Sequence, residues 1–134
     1  MSLSYRFPLF SAGISGAVGV GLGAFGAHAL RGTLTELGTR DRWETAVCYQ
    51  LTHAVALLGI AACLRSARGA SVRRFKWATR CWLAGITFFS GSLYVLSLST
   101  NAPLWFKVAV PPLGGSLFVL GWLFVAAAAW AKDE

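Results

Sequence analysis

The sequence predicts an all-α membrane protein: a compact bundle of four transmembrane helices with one short interfacial helix in its first outer loop. Three observations carry this reading. Of 134 residues, 56% are hydrophobic and 13% charged, against the ~25% charge of an ordinary soluble domain. Four apolar runs each reach the ~20 residues that a helix needs to cross ~30 Å of hydrocarbon, and a helix satisfies its own backbone there. The polar segments between the runs are too short for a second folded unit, so residues 1–134 read as a single integral membrane domain.

The first run, 7–30, carries no charge between Arg6 and Arg31. Arg6 before an apolar stretch and Ala27-His28-Ala29 imitate a secretory signal and its cleavage site. A signal core holds about 7–15 apolar residues, however, and this run is longer, so it is read as a retained helix. Ser11, Ser15, Gly19, Gly23 and Ala27 repeat every four residues, with Gly13, Ala17 and Gly21 in a second row and Gly26 close by. Lipid offers no hydrophobic reward for helix association, and small residues let backbones approach. Gly19, Gly21, Gly23 and Gly26 are therefore packing positions, and the first helix is expected at the centre of the bundle, contacted by several neighbours.

The first outer loop carries Thr33-Leu34-Thr35-Glu36, the pattern of a capping box, and Gly38 as a helix stop. Leu30, Leu34 and Leu37 fall on one face, which suits a single turn lying on the membrane surface. Asp41 and Glu44 then open the next helix before its apolar run, 45–64, begins.

The third run spans 81–100 and the fourth 108–131. Between the second and third, residues 65–80 hold Arg65, Arg68, Arg73, Arg74, Lys76 and Arg80 without an acid, whereas the first loop balances Arg31, Arg40 and Arg42 against Glu36, Asp41 and Glu44. The basic loop 65–80 is expected in the cytoplasm, which places both termini there, in a multi-pass inner-membrane protein. Trp77, Trp82 and Trp130 at the inner boundary, and Trp43 and Trp105 at the outer, fit interfacial belts. Pro111 and Pro112 each lack a donor and crowd the preceding turn, so the fourth helix is expected to bend or to begin late, near Pro111. Gly85, Gly91, Gly114, Gly115 and Gly121 offer further close contacts.

The net charge of +7 follows from these loops. No polar surface large enough for nucleic acid exists, and the lipid bilayer is the expected partner. Cys48, Cys63 and Cys81 show neither CxxC spacing nor a paired histidine, so no metal site or disulfide framework is indicated.

Polar residues inside the runs mark a candidate site. At about 100° per residue, His28 shares a face with Ala17, Gly21 and Ala24; Tyr49, Gln50 and His53 share one on the second helix; and Ser90, Tyr94, Ser97 and Asn101 share one on the third. By helix rise His28, Tyr49, Gln50, His53, Tyr94, Ser97 and Asn101 all fall in the outer half. The seven residues His28, Tyr49, Gln50, His53, Tyr94, Ser97 and Asn101 are expected to meet in one cluster, with His28 buried against Tyr49, Gln50 or His53. Such a cluster reads either as interhelical hydrogen-bonded glue or as a ligand site. A haem shared by His28 and His53 is disfavoured, because their depths differ by about 10 Å, and no cofactor is called for.

GLGAFGAHAL followed by WETAVCYQLTHAVALL across a short polar loop resembles the YgdD/YwdK-type family of small multi-pass membrane proteins, which has a eukaryotic branch. The likeness covers nearly the whole chain. Gly23, Ala24, Phe25, Gly26, Ala27 and His28, then Trp43, Thr45, Ala46, Tyr49, Gln50 and His53, carry it. It implies this fold and an unknown molecular function. The residues themselves favour a non-enzymatic accessory or scaffold component of a larger membrane complex, or a homo-oligomer, since no span holds a carboxylate and no nucleophile–base–acid set occurs. The alternative is a small ligand-binding or transport protein with an outer-leaflet polar pocket between the first three spans.

The basic excess generates a test of topology. In a cysteine-free background, Ser66→Cys should react with an impermeant thiol reagent only after the membrane is permeabilised; labelling from outside intact cells reverses the orientation.

Overall fold

The structure, a computed structural model, describes residues 3–99 and 101–131, and every regular element among them is helical. After a 3₁₀ turn at Leu3–Tyr5 come α1 (Arg6–Ala27), α2 (Arg31–Glu36), α3 (Arg40–Cys63), α4 (Gly69–Leu98) and α5 (Leu104–Ala128). Helices α1, α3, α4 and α5 are each long and apolar enough to cross a membrane.

The short α2 forms in the loop between α1 and α3, but not through the capping box. It starts at Arg31, two residues before Thr33, with Leu30 as an N-cap that makes no side-chain bond. Its end follows the expectation: Gly38 adopts φ +63°, the Gly38 N–H donates to the Thr35 carbonyl at 3.1 Å, and the Thr39 N–H donates to the Leu34 carbonyl at 2.9 Å. That pair of bonds is a Schellman closure, which requires the left-handed conformation that glycine adopts without strain. Leu34 is buried.

Helix α3, not α1, is the centre. Helix α1 packs on α3 and α5 packs on α4, while α3 also meets the second half of α4. The small residues of α1 explain its place at the edge: only one of its faces is approached. Gly19, Gly23 and Gly26 meet Leu51, Val47 and Trp43 of α3, whereas an added Cβ at Gly13, Gly16 or Gly21 would touch nothing within 4 Å. Gly21 is therefore not an internal packing position.

Helix α4 begins well before residue 81. Residues 69–80, expected as basic loop, are its first three turns, and only 64–68 connect it to α3. These turns are polar on one side and apolar on the other, and they pack on α5: Ala78 and Thr79 are buried, the Ser71 hydroxyl donates to the Ala128 carbonyl at 3.4 Å, and the Arg74 guanidinium donates to the Ala127 carbonyl. Both bonds add a second donor to carbonyls at the end of α5 that also accept the Trp130 and Ala131 N–H groups in a tightened last turn.

The earlier start of α4 puts Trp82 deep in the bundle, 1% exposed, and Trp43 is 3% exposed, so neither is available to an interfacial belt; Trp77, Trp105 and Trp130 are exposed. The two internal indoles repeat one arrangement. Trp43 lies against Gly26 of α1 and donates Nε1–H to the Leu22 carbonyl at 3.0 Å; Trp82 lies against Gly121 of α5 and donates to the Phe118 carbonyl at 3.2 Å.

Midway, α4 contains a π turn, Ile86–Ser90, closed by the Gly91 N–H on the Ile86 carbonyl. The extra residue rotates the following turns by about 100° relative to an unbroken α-helix. Before it α4 packs mainly on α5, and after it mainly on α3. Gly114 of α5 lies against the backbone of Phe89 within this turn.

Helix α5 does not begin late. It starts at Leu104, with Pro103 as N-cap, and runs through Pro111 and Pro112 as one helix. An α-helix tolerates proline in hydrocarbon where neighbouring groups and local adjustment compensate the missing donors.

The glycine contacts predict opposite responses to one methyl group. Gly121→Ala should destabilise the bundle by about 1–3 kcal/mol through overpacking against Trp82, whereas Gly16→Ala should be neutral or stabilising by up to ~1 kcal/mol through helix propensity. Thermal unfolding of both variants in detergent checks the contrast.

Candidate functional site

The polar interior is built outward from α3. Gln50, buried, extends its amide in two directions: Nε2–H donates to the Ser15 carbonyl of α1 at 2.9 Å, and Oε1 accepts from the Tyr94 hydroxyl of α4 at 3.0 Å. One side chain thus joins three helices. Tyr94 also meets Trp43 edge to face, with ring centroids 4.7 Å apart.

One turn further along α3, His53 makes the link to α5. Its Nδ1 lies 2.8 Å from the Tyr49 carbonyl and its Nε2 lies 3.3 Å from Trp122 Nε1. An indole N–H can only donate, so Nε2 accepts and Nδ1 carries the proton toward the carbonyl; the imidazole is the Nδ1–H tautomer. Its face stacks on Phe118 at 3.7 Å and 12°, and Trp82 stands edge-on at 5.7 Å. Both ring nitrogens and one face are occupied by the protein's own groups. The Tyr49 ring packs on Phe89, with centroids 4.6 Å apart.

Nearer the start of α3 and the end of α4, the helix termini are fastened by side chains on carbonyls. Arg42 Nη1–H donates to Leu96 O and the Thr39 hydroxyl to Ser97 O, both at 2.7 Å. Ser97, wholly buried, donates its own hydroxyl to Leu93 O. Ser90, also wholly buried, sits in the π turn; among the described residues its hydroxyl is the buried side-chain group without a hydrogen-bond partner.

The structure therefore gathers Gln50 with Tyr94, and His53 with Tyr49, and places Ser97 in the same interior about one turn beyond Tyr94. It does not gather His28. That residue follows the last residue of α1, is exposed, and holds the helix end only through its backbone, its N–H donating to Ala24 O at 3.1 Å. The α-helical phase used to aim His28 stops at Ala27, and the space beside Gly26 is filled by the Trp43 indole. Asn101 lies exposed in the turn before α5. No three His, Cys, Asp or Glu side chains among the described residues lie close enough together to share a metal ion.

Sequence reasoning missed Trp122, Phe118 and Trp82 as partners of His53. Trp122 carried a signal: it lies 14 residues into the 108–131 run, far from either interface, and an indole N–H at that depth needs an internal acceptor.

Comparison with known proteins places this arrangement. Residues 22–115 match the family model described as "Protein of unknown function (DUF423)", a stretch that contains Gln50, His53, Tyr94 and Ser97. The chain belongs to the DUF423 family. The inner membrane protein YgdD of Escherichia coli K12 is 42% identical over 123 residues, 90% of this chain and 86% of YgdD. The membrane protein YwdK of Bacillus subtilis is 38% identical over 117 residues, 87% and 89% of the two chains. A membrane protein of Staphylococcus haemolyticus is 41% identical over 106 residues, 79% and 80%. No solved structure matches. This DUF423 member is thus a multi-pass membrane protein of a family whose description assigns no activity.

The hydrogen-bond pattern predicts unequal effects of two small deletions. Tyr94→Phe, which strands Gln50 Oε1, should cost about 1–2 kcal/mol, whereas Ser90→Ala, which removes an unsatisfied buried hydroxyl, should be neutral or stabilise by up to ~1 kcal/mol. Detergent unfolding curves that place Ser90→Ala below Tyr94→Phe would contradict the assignment.

Proposed function

We propose that this DUF423 protein is a non-enzymatic component of the inner membrane that works by packing against a further membrane helix, first of all a second copy of itself, with α1 as the docking element. The observation that carries this reading is the bare side of α1. Gly13, Ala17, Gly21 and Ala24 form an exposed row on the side opposite Gly19, Gly23 and Gly26, bordered by exposed Ile14, Val18 and Phe25. The outward side of α5 instead presents Leu113, Val119, Leu120 and Leu123, as a lipid-facing surface does. Two small-xxx-small steps flanked by bulky side chains suit close helix approach in lipid. The basic excess of residues 65–80, in the α3–α4 connection and the first turns of α4, supports cytoplasmic termini, and the label of YgdD supports the inner membrane.

The reading as a ligand-binding or transport protein with a pocket between α1, α3 and α4 has less support. The polar groups there bond to one another and to carbonyls, and both nitrogens of His53 are engaged.

Cysteine cross-linking in native membranes tests the proposal. In a cysteine-free background, Ala17→Cys should form disulfide-linked dimers and Val119→Cys should not, and Gly21→Ile should weaken the association by about tenfold or more, equivalent to ~1.4 kcal/mol. Equal cross-linking at both positions, or none at Ala17→Cys and no co-purifying protein sensitive to Gly21→Ile, overturns it.

A further inference from the structure

A cavity of about 410 Å³ opens between the start of α1 and the part of α4 around Lys76 and Arg80, with Leu64 from the end of α3 in its wall. Its volume lies within the ~300–1,000 Å³ of small-molecule sites. Phe7, Pro8 and Leu64 give it an apolar side, and Lys76 and Arg80 a basic one. These two cations stand four residues apart on one helix, so their Cβ atoms are about 6 Å apart and both side chains reach the same cavity. Like charges at that spacing oppose each other, and one anion within reach of both reverses the sign of the interaction.

The described part of the chain holds no anion at this end. Its acids are Glu36, Asp41 and Glu44, in α2 and the first turns of α3, and even Glu44 is about 30 Å of helix rise from Leu64. Asp133 and Glu134 lie outside the described residues. A third cation borders the cavity instead: the Arg65 guanidinium stands over the Tyr5 ring at 5.6 Å, beside Ser4 of the lining.

Two features tie the cavity to the membrane boundary. Trp77, next to Lys76, is 47% exposed and carries the Arg80 guanidinium over its ring at 5.0 Å. A stacked guanidinium keeps its N–H edge for a bidentate contact with phosphate, and an exposed indole among basic side chains suits the headgroup level of a bilayer. Phe7, 59% exposed, carries the apolar wall out to the surface that hydrocarbon covers. A lipid satisfies the basic and the apolar side together; a free anion satisfies one of them.

We infer that this cavity holds the phosphate of an anionic phospholipid between Lys76 and Arg80, with the hydrocarbon of that lipid on Phe7 and Pro8. The site is separate from the exposed row of α1, which begins at Gly13, and does not depend on the proposal made for that row.

Acylation of Lys76 reports occupancy. The full-length protein carrying Arg73→Lys, at an exposed position of the same helix outside the lining, is placed in vesicles of phosphatidylcholine alone, of phosphatidylcholine with phosphatidylglycerol, or of phosphatidylcholine with inorganic phosphate. It is treated with a permeant acylating reagent, and each lysine is followed by peptide mass spectrometry. Phosphatidylglycerol should slow Lys76 by about tenfold, as ligand at ten times its dissociation constant does, and the lysine introduced by Arg73→Lys far less, because that position senses only the surface charge. Arg80→Gln should abolish the protection of Lys76, whereas Arg68→Gln, which removes the same charge outside the cavity, should leave it intact. Arg80→Lys, which keeps the charge but not the fork, should retain part of it and covers the case in which Arg80→Gln fails to fold. No slowing of Lys76, equal slowing of both lysines, equal loss of protection in Arg80→Gln and Arg68→Gln, or full protection by inorganic phosphate overturns the inference.

Discussion

An indole laid across a glycine of the neighbouring helix, with its N–H on a carbonyl about one turn away, is the contact on which both halves of this bundle depend. Trp43 on Gly26 and Leu22 joins α3 to α1; Trp82 on Gly121 and Phe118 joins α4 to α5. The pairing meets two demands of hydrocarbon at once. The missing Cβ makes room for a large flat ring, which supplies dispersion contact where lipid gives no hydrophobic reward, and the helical carbonyl takes the one polar atom of that ring. The ring and the glycine are interdependent, since either alone leaves a void or an overlap.

Between these two locks, α3 satisfies its polar side chains on its neighbours. Gln50 reaches α1 and α4, His53 reaches α5, and Arg42 and Thr39 hold the end of α4. The π turn makes this possible by turning the last part of α4 from α5 toward α3. Its cost includes the unpartnered hydroxyl of Ser90, inside the turn. With its interior groups satisfied in this way, the bundle offers a partner its periphery, and the proposed docking surface is the exposed row of α1.

The candidate residues were legible to unequal degrees. Tyr49, Gln50, His53, Tyr94 and Ser97 share helical faces that hydropathy and a 100° step reveal, and the interior contains them or borders on them. His28 was misplaced because a periodicity argument has no means of knowing where the helix ends; Ala27 is the last helical residue, and the chain turns immediately after it. The start of α4 was misplaced because charge was read as loop. Arg73, Arg74 and Lys76 stand on a helix whose other side, with Ala78, Thr79 and Trp82, is covered by the rest of the bundle.

From the sequence alone came the membrane class, four spans, the short helix ending at Gly38 and the small-residue contacts, because these follow from local quantities: run length, hydropathy, backbone freedom and side-chain size. Tertiary structure alone decided which helix is central, which of the two glycine rows on α1 is covered, and which partner each buried polar group finds. Gly21 and Gly23 are the same residue type two positions apart, yet one faces open space and the other Val47. A helix carries small residues equally well on either side; only the position of its neighbour distinguishes the filled face from the bare one.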